Sequence, residues 1–244
     1  MKKILITGAG GYIGSILSKN LKNLDVFNLD KQQNSFVKNN LQIMNLNSKN
    51  LKKEIIKFNP NIVIHLAGQS TIDFVKEKNK YYKNNVLATK NLIQILKQCK
   101  SLDKIIFSST ASVYSPQKNN LNENSKIFLG NNYAITKFKS ENLLKNFSIK
   151  YKKKIIIFRF FNVCGADIKN KLGELHNPET HLIPIVVNKI YNKKEIIIYG
   201  NKHKTSDGSC IRDYIHVIDI VNAIKKSINH KFKRNLNIFN LGTG

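Results

Sequence analysis

Six short runs in this chain, residues 3–7, 26–29, 62–66, 104–109, 155–160 and 236–241, are apolar at consecutive positions and not at alternate ones. A strand with that pattern has to be covered on both faces, which is the condition of a parallel sheet buried between helices. The segments between the runs supply the cover. Residues 11–24, 51–58, 82–99 and 133–151 carry apolar side chains at spacings of three and four, as Val86, Leu92, Ile93 and Leu96 do. Repeated βα units of this kind close with right-handed crossovers, so the predicted class is α/β, a doubly wound parallel sheet of the Rossmann type.

The rhythm lapses after Phe161. Residues 163–210 contain Gly165, Gly173, Pro178, Pro184, Gly200 and Gly208, a predicted helix over 181–191 and a predicted short strand over 195–199. A helical stretch at 217–228 and the run at 236–241 then resume the sheet pattern. The expected organisation is a sheet domain built from residues 1–162 and 216–244, with 163–215 forming part of a smaller, incomplete lobe. The last residues, Gly242, Thr243 and Gly244, read as a turn with no docked element after it, the mark of a truncated chain.

The formal net charge is +26, which at first reads as the footprint of a nucleic-acid or membrane-surface protein. Composition supplies a plainer cause. All but three of the 41 basic residues are Lys, beside 34 Asn and 34 Ile, all residue types with codons rich in A and T. The lysines are scattered, with 152–154 the longest run, whereas phosphate-backbone binding favours an arginine-bearing patch. Neither a nucleic-acid nor a membrane partner is expected, and no stretch approaches the ~18 apolar residues of a membrane span. Cys99, Cys164 and Cys210 form neither a Cys-x-x-Cys pair nor a dense His/Cys cluster, so no disulfide and no metal is expected, and a cytoplasmic location fits best.

After the first run comes Gly8-Ala9-Gly10-Gly11-Tyr12-Ile13-Gly14, a Gly-x-x-Gly-x-x-Gly spacing where a strand turns into a helix. Glycines there permit a tight turn and a close backbone approach, and the free N–H groups of the helix start point at a pyrophosphate. Asp30 ends the next strand, where a carboxylate accepts from ribose hydroxyls and repels a 2′-phosphate, so NAD is favoured over NADP. His65 to Gly68 close a further strand with small residues at the same edge, His65 itself reading as a packed, hydrogen-bonded side chain.

The run at 104–109 leads into a row of hydroxyls from Ser108 through Thr110 to Tyr114. Beyond it lies Tyr133-Ala134-Ile135-Thr136-Lys137, in which one helical turn puts Tyr133 and Lys137 on one face. A free phenol has a pKa of ~10, and a fixed ammonium beside it, with a positive nicotinamide ring, would bring that down. Such a tyrosine can take a proton from a sugar hydroxyl while the carbon gives hydride to the cofactor. Tyr114 and Lys118 share the spacing, but Pro116 between them forbids a regular helix.

With these features the sequence resembles the extended short-chain dehydrogenase/reductases, and within them the UDP-glucose 4-epimerases. The shared marks are the glycine turn, Ser108 to Tyr114, Tyr133 with Lys137, and Arg159-Phe160-Phe161-Asn162. The more distinctive ones are His176-Asn177-Pro178-Glu179-Thr180-His181-Leu182-Ile183-Pro184 and the stretch from Asp207 to Val217. The resemblance implies interconversion of UDP-galactose and UDP-glucose by transient oxidation at sugar C4, with Tyr133 as acid/base, Lys137 tuning it and Thr110 bonding the same hydroxyl. It implies that NAD lies along Gly8, Gly11, Tyr12, Ile13, Gly14, Asp30, Asn45, Leu46, Leu66, Ala67, Gly68, Asn85, Ser108 and Phe161, as well as Tyr133 and Lys137. It further implies that Asn162, Leu182 and Arg212 meet the UDP part, that residues 163–215 belong to a substrate-binding lobe, and that the protein is a homodimer.

Four positions depart from the family pattern: Gln69-Ser70 stands for Leu-Lys, Asn45 for an aspartate facing adenine, and Ser115 for a glycine. Family chains continue past Gly244 and draw a further arginine and tyrosine into the sugar pocket from there, which puts turnover by this length of chain in question. Three other readings stay open: another sugar-nucleotide 4-epimerase, a 4,6-dehydratase, disfavoured because Ala111-Ser112 offers no carboxylate, and a non-catalytic NAD-binding fragment.

Overall fold

The computed structural model describes residues 1–21, 23–34, 37, 41–70, 78–115, 120–176 and 179–244. Seven of its strands form one sheet: β1 (Lys3–Thr7), β2 (Asp25–Asp30), β3 (Leu41–Ile43), β4 (Ile62–His65), β5 (Lys104–Thr110), β6 (Lys154–Phe160) and β9 (Leu236–Leu241). Their order is β3-β2-β1-β4-β5-β6-β9 and every pairing is parallel. The predicted doubly wound Rossmann sheet is therefore the one observed.

The consecutive apolar runs are explained by the two cores that the sheet separates. Ile4, Ile6, Ile62, Ile64, Ile106 and Ile156 face α1 (Tyr12–Asn20) and α7 (Val217–Asn229), in a core that includes Ile16, Leu17, Ile220 and Ile224. Leu5, Val63, Ile105, Phe107, Ile155 and Ile157 alternate with them and face the other way. They pack with α2 (Leu51–Phe58), α4 (Ala88–Leu96) and α5 (Asn132–Tyr151) through Leu51, Ile55, Leu92, Leu96, Leu144 and Phe147. Each fully buried side chain of this kind contributes roughly 1.5–3 kcal/mol.

Helix α4 continues a short α3 (Lys78–Tyr81) through a π-helical stretch, Tyr82–Leu87. The wider turn carries Asn85, whose side chain is buried; π turns of this sort concentrate at functional sites. The remaining strands, β7 (Asn162–Cys164) and β8 (Tyr214–His216), pair with each other. Between them α6 (Leu182–Tyr191) starts one residue later than predicted, with His181 as its cap.

One predicted element is corrected. Residues 195–199 form no strand in the structure. Ile197, Ile198 and Tyr199 are largely exposed, and no neighbouring strand among the described residues offers the backbone partner that their β-branched character calls for. The helix expected over 11–24 ends at Asn20, and the three-residue β3 was not foreseen. Pro116, Lys118, Asn177 and Pro178 lie outside the described residues.

Candidate active site

The sheet order reverses between β1 and β4, and ligands of such sheets bind outside the carboxyl ends of strands at that point. The glycine turn follows β1 there. Gly8 has φ +76°, and a Cβ on it would lie 2.6 Å from the backbone nitrogen of Ala67. A Cβ on Gly14 would lie 2.1 Å from the Gly8 carbonyl oxygen. These two glycines are thus fixed by the protein's own packing. Gly11 differs: a Cβ there would meet nothing closer than 3.4 Å, so its bare face is open to a ligand. Gly11 caps α1 without a side-chain hydrogen bond, which leaves first-turn N–H groups for an anion. The turn fits a dinucleotide pyrophosphate.

Asp30 closes the other side. Its Oδ2 accepts from the Gly10 N–H at 2.9 Å and its Oδ1 from the Gln32 N–H at 3.1 Å. Asn45, just after β3, folds back on itself as its Oδ1 accepts from the Asn47 N–H, and Leu46 is buried in the core behind. Tyr12 leaves the turn sideways and donates to the Gly165 carbonyl at 2.5 Å; burial pushes its phenol pKa up.

Across the switch point His65 is sealed in β4. Thr89 Oγ1 donates its one hydrogen to the Asn85 carbonyl at 2.6 Å, so it must accept from His65 Nε2 at 2.9 Å. His65 Nδ1 then accepts from Thr7 Oγ1 at 2.7 Å. Burial, with Lys137 adding to it, drives the imidazole down to about 3, so His65 is a neutral strut between β1, β4 and the π turn. The Asn85 amide spans the next gap, accepting from the Gln69 N–H at 2.7 Å and donating to Thr136 Oγ1 at 3.0 Å. Sequence reading placed Asn85 near the cofactor by resemblance alone; the structure shows it tying the strand edge to α5.

Tyr133 and Lys137 both point inward from the first turns of α5, which Asn131 caps by accepting from the Ala134 N–H. The Tyr133 phenol is partly buried, hydrogen-bonded to the Thr110 side chain and 6.5 Å from the Tyr81 ring, centroid to centroid. Burial pushes it up to about 12, against the pull of Thr110. In the protein alone the phenol is raised; the lowering expected from the sequence involves the nicotinamide ring as well as Lys137. Lys137 Nζ lies over the Phe107 ring at 4.2 Å from its centroid, close to Gly68. Burial lowers this amine to about 7, partly offset by Glu141. Ser108 donates to the His65 carbonyl.

The residues expected at the UDP end are less gathered. Asn162 is tied to the Asp213 carbonyl by its amide at 2.8 Å. Leu182 is exposed at the start of α6, and the exposed Arg212 turns back to the Ile211 carbonyl. Phe161 sits beside Gly242.

Sequence reading missed the support beneath this site. Arg159 donates from Nε and Nη2 to the two Glu141 oxygens at 3.0 and 2.8 Å, and from Nη1 to the Tyr114 hydroxyl at 2.9 Å. Ser109 donates to Glu141 at 2.6 Å, and Tyr114 to Asn240 at 2.6 Å. The only signal was Glu141 lying one turn beyond Lys137 on a core-facing side.

A seven-stranded parallel sheet with a glycine turn after β1, and Tyr133 and Lys137 one turn apart on α5, is the architecture of a Rossmann-fold, nucleotide-dependent enzyme. The chain belongs to the NAD dependent epimerase/dehydratase family, which it matches over residues 4–242. It is 31% identical to a UDP-glucose 4-epimerase of Rhizobium meliloti and 34% identical to one of Halalkalibacterium halodurans, over 99% of this chain and 76% and 75% of those proteins. Among solved structures, the UDP-glucose 4-epimerase of Brucella ovis in complex with NAD superposes with a TM-score of 0.88 at 31% identity, covering all of this chain and 78% of that one. That of Bifidobacterium longum in complex with NAD⁺ and UDP gives 0.90 at 28%, covering 99% and 78%.

Proposed function

We propose that this chain interconverts UDP-galactose and UDP-glucose by transient oxidation at sugar C4. The observation that carries the reading is the phenol of Tyr133, hydrogen-bonded to Thr110 at the carboxyl edge of the sheet and one helical turn from Lys137. Bound NAD supplies the acceptor, and afterwards the donor, of the hydride.

Tyr133 takes the C4 hydroxyl proton and later returns it, while Thr110 holds that hydroxyl in line. A phenol at about 12 is a weak base, so Lys137 and the positive ring of the cofactor have to bring it down when the site is filled. Gly8, Gly11, Tyr12, Ile13 and Gly14 take the pyrophosphate, Asp30 the ribose, Asn45 and Leu46 the adenine side. Leu66, Ala67, Gly68, Asn85, Ser108 and Phe161 line the nicotinamide side, and Asn162, Leu182 and Arg212 receive the UDP. In this reading residues 1–162 and 216–244 form the cofactor domain, and 163–215 part of the substrate lobe. A dehydratase needs a free acid near the reacting sugar, and Glu141, the carboxylate on α5 nearest Tyr133, is consumed by Arg159 and Ser109.

Cys99, Cys164 and Cys210 are unpaired, and no described helix is long and apolar enough to cross a membrane. These support a cytoplasmic enzyme; the homodimer rests on the resemblance alone.

Incubating the chain, or a longer polypeptide containing it, with UDP-galactose and no added NADH is expected to yield UDP-glucose by proton NMR. Tyr133→Phe is expected to lower kcat by about 100-fold or more; near wild-type conversion by that variant would overturn the role of Tyr133. The cofactor end has its own test. Asp30→Ala is expected to weaken NAD binding and narrow the preference over NADP, measured by fluorescence titration with each dinucleotide.

A further inference from the structure

We propose that Glu174, His176, Glu179 and His181 form a divalent-metal site, of the nitrogen/oxygen chemistry that suits Zn²⁺, in the loop leading into α6. Each offers one ligand atom, and the four atoms lie within 4.8 Å of one another. The spacing is Glu-x-His-x-x-Glu-x-His. The sequence expectation of no metal rested on the absence of a Cys-x-x-Cys pair and of a dense His/Cys cluster, and a mixed His/Glu set meets neither criterion.

Three observations point to a cation and not to a chance surface cluster. His176 Nδ1 is shielded from solvent yet has no hydrogen-bond partner among the described residues, a state that calls for an ion or water. That nitrogen lies 3.4 Å from Glu174 Oε1 and 3.5 Å from Glu179 Oε2. Metal–ligand bonds of 2.0–2.1 Å in a tetrahedron place neighbouring ligand atoms roughly 3.3 Å apart, so these are the separations a zinc ion requires. Thirdly, the ligands are oriented by the chain around them. Glu179 Oε1 accepts from the backbone N–H groups of Thr180 and His181 at 2.8 and 2.9 Å, and its Oε2 from that of His176 at 3.3 Å. His181 Nδ1 and Glu174 are in direct hydrogen-bond contact, so a metal there would take the place of the proton between them, and the two imidazoles meet edge to face at 5.2 Å.

Two imidazoles and two carboxylates give a neutral tetrahedral complex with a dication, a donor set that zinc accepts and that magnesium or calcium, which prefer all-oxygen shells, do not. The ion would tie Glu174 and His176 to Glu179 and to His181, the residue that caps α6. Glu174 also lies within electrostatic reach of Tyr12 in the glycine turn and of Cys164 in β7, so the clip would join the loop to the cofactor end.

The probe is zinc chloride added to tag-free, chelator-treated protein, with bound zinc counted after gel filtration and affinity read by competition with a chromogenic chelator. One zinc per chain is expected. His176→Gln and Glu179→Gln are each expected to weaken binding at least tenfold, while Cys164→Ser and Cys210→Ser leave it unchanged. X-ray absorption at the zinc edge is expected to show two imidazoles with oxygen and no sulfur. Circular dichroism and NAD titration report whether each variant is folded, and His181→Gln serves if one is not. No retained zinc, zinc retained equally by the His and Glu variants, or sulfur in the shell would each overturn the site. None of these readouts depends on the epimerase reading.

Discussion

Glu141→Gln is expected to destabilise the protein by about 3–5 kcal/mol at neutral pH, the cost of leaving a buried charge without its partner. Arg159 and Glu141 are both buried, and their contact is a two-pronged ion pair with Ser109 and Tyr114 completing the shell. Burial alone would raise the Glu141 carboxyl. Hydrogen bonds and charge from Arg159, with help from Ser109 and Lys145, hold it below the usual carboxylate range instead. A depressed acid contributes stability above its unfolded pKa of about 4.5 and loses it as pH falls through the lower folded value. The deficit of the Gln variant is therefore expected to be full at pH 7 and to shrink as pH falls below about 4.5.

Urea denaturation of wild type, Glu141→Gln, and the double variant Glu141→Leu with Arg159→Met separates the causes. Removing both charges is expected to recover most of the loss, because the orphaned guanidinium and not the missing contact sets the cost. A double variant as unstable as the single one would refute that account. Activity should suffer as well, since Glu141 lies one turn beyond Lys137 and two beyond Tyr133 on the side of α5 pressed to β5 and β6. A small displacement of a reacting group costs on the order of 100-fold in rate.

How legible this was in the sequence follows from which forces leave a periodic trace. β1, β4, β5 and β6 are buried on both faces, so their central residues, Ile62 to Ile64 for instance, are apolar in unbroken runs, and the sheet read directly. The glycine turn read equally well because Gly8 and Gly14 are demanded by backbone packing that no other residue permits. Helix α5 is the contrary case. Its buried face carries Thr136, Lys137, Ser140, Glu141 and Ser148 beside Ala134, Leu144 and Phe147, so hydrophobic period alone says little about which side faces in. The Arg159–Glu141–Tyr114 cluster left little local pattern, because its members lie 18 to 45 residues apart in the chain. The strand expected over 195–199 failed for the opposite reason: β-branched composition was present, but a strand exists only where another backbone lies alongside.

Lys137→Met is expected to abolish epimerase turnover and at the same time to stabilise the fold at pH 7, because the displaced amine pKa reflects the cost of burying that charge. Lys137 is almost wholly buried, and burial lowers its amine from 10.5 to about 7. The Phe107 ring at 4.2 Å and the Glu141 carboxylate offset only part of the lost hydration. The sign follows from proton counting. Below about pH 7 both folded and unfolded chains carry the proton, and the protein bears the whole cost of a buried cation. Between about 7 and 10.5 the unfolded chain holds a proton that the folded one lacks, so wild-type stability rises with pH. Methionine has nearly the same straight-chain shape, suits a helix interior and brings no charge. The gap between Met and wild type is thus expected to be widest below pH 7 and to narrow toward pH 10. Urea unfolding at pH 6.5 and 9.5 measures both ends; a gap that stays constant, or a Met variant weaker than wild type at pH 6.5, would show that Lys137 is held for packing. On the proposed function, a lysine held at a cost to stability one helical turn from Tyr133 is accounted for by the charge it lends the phenol when the site is filled.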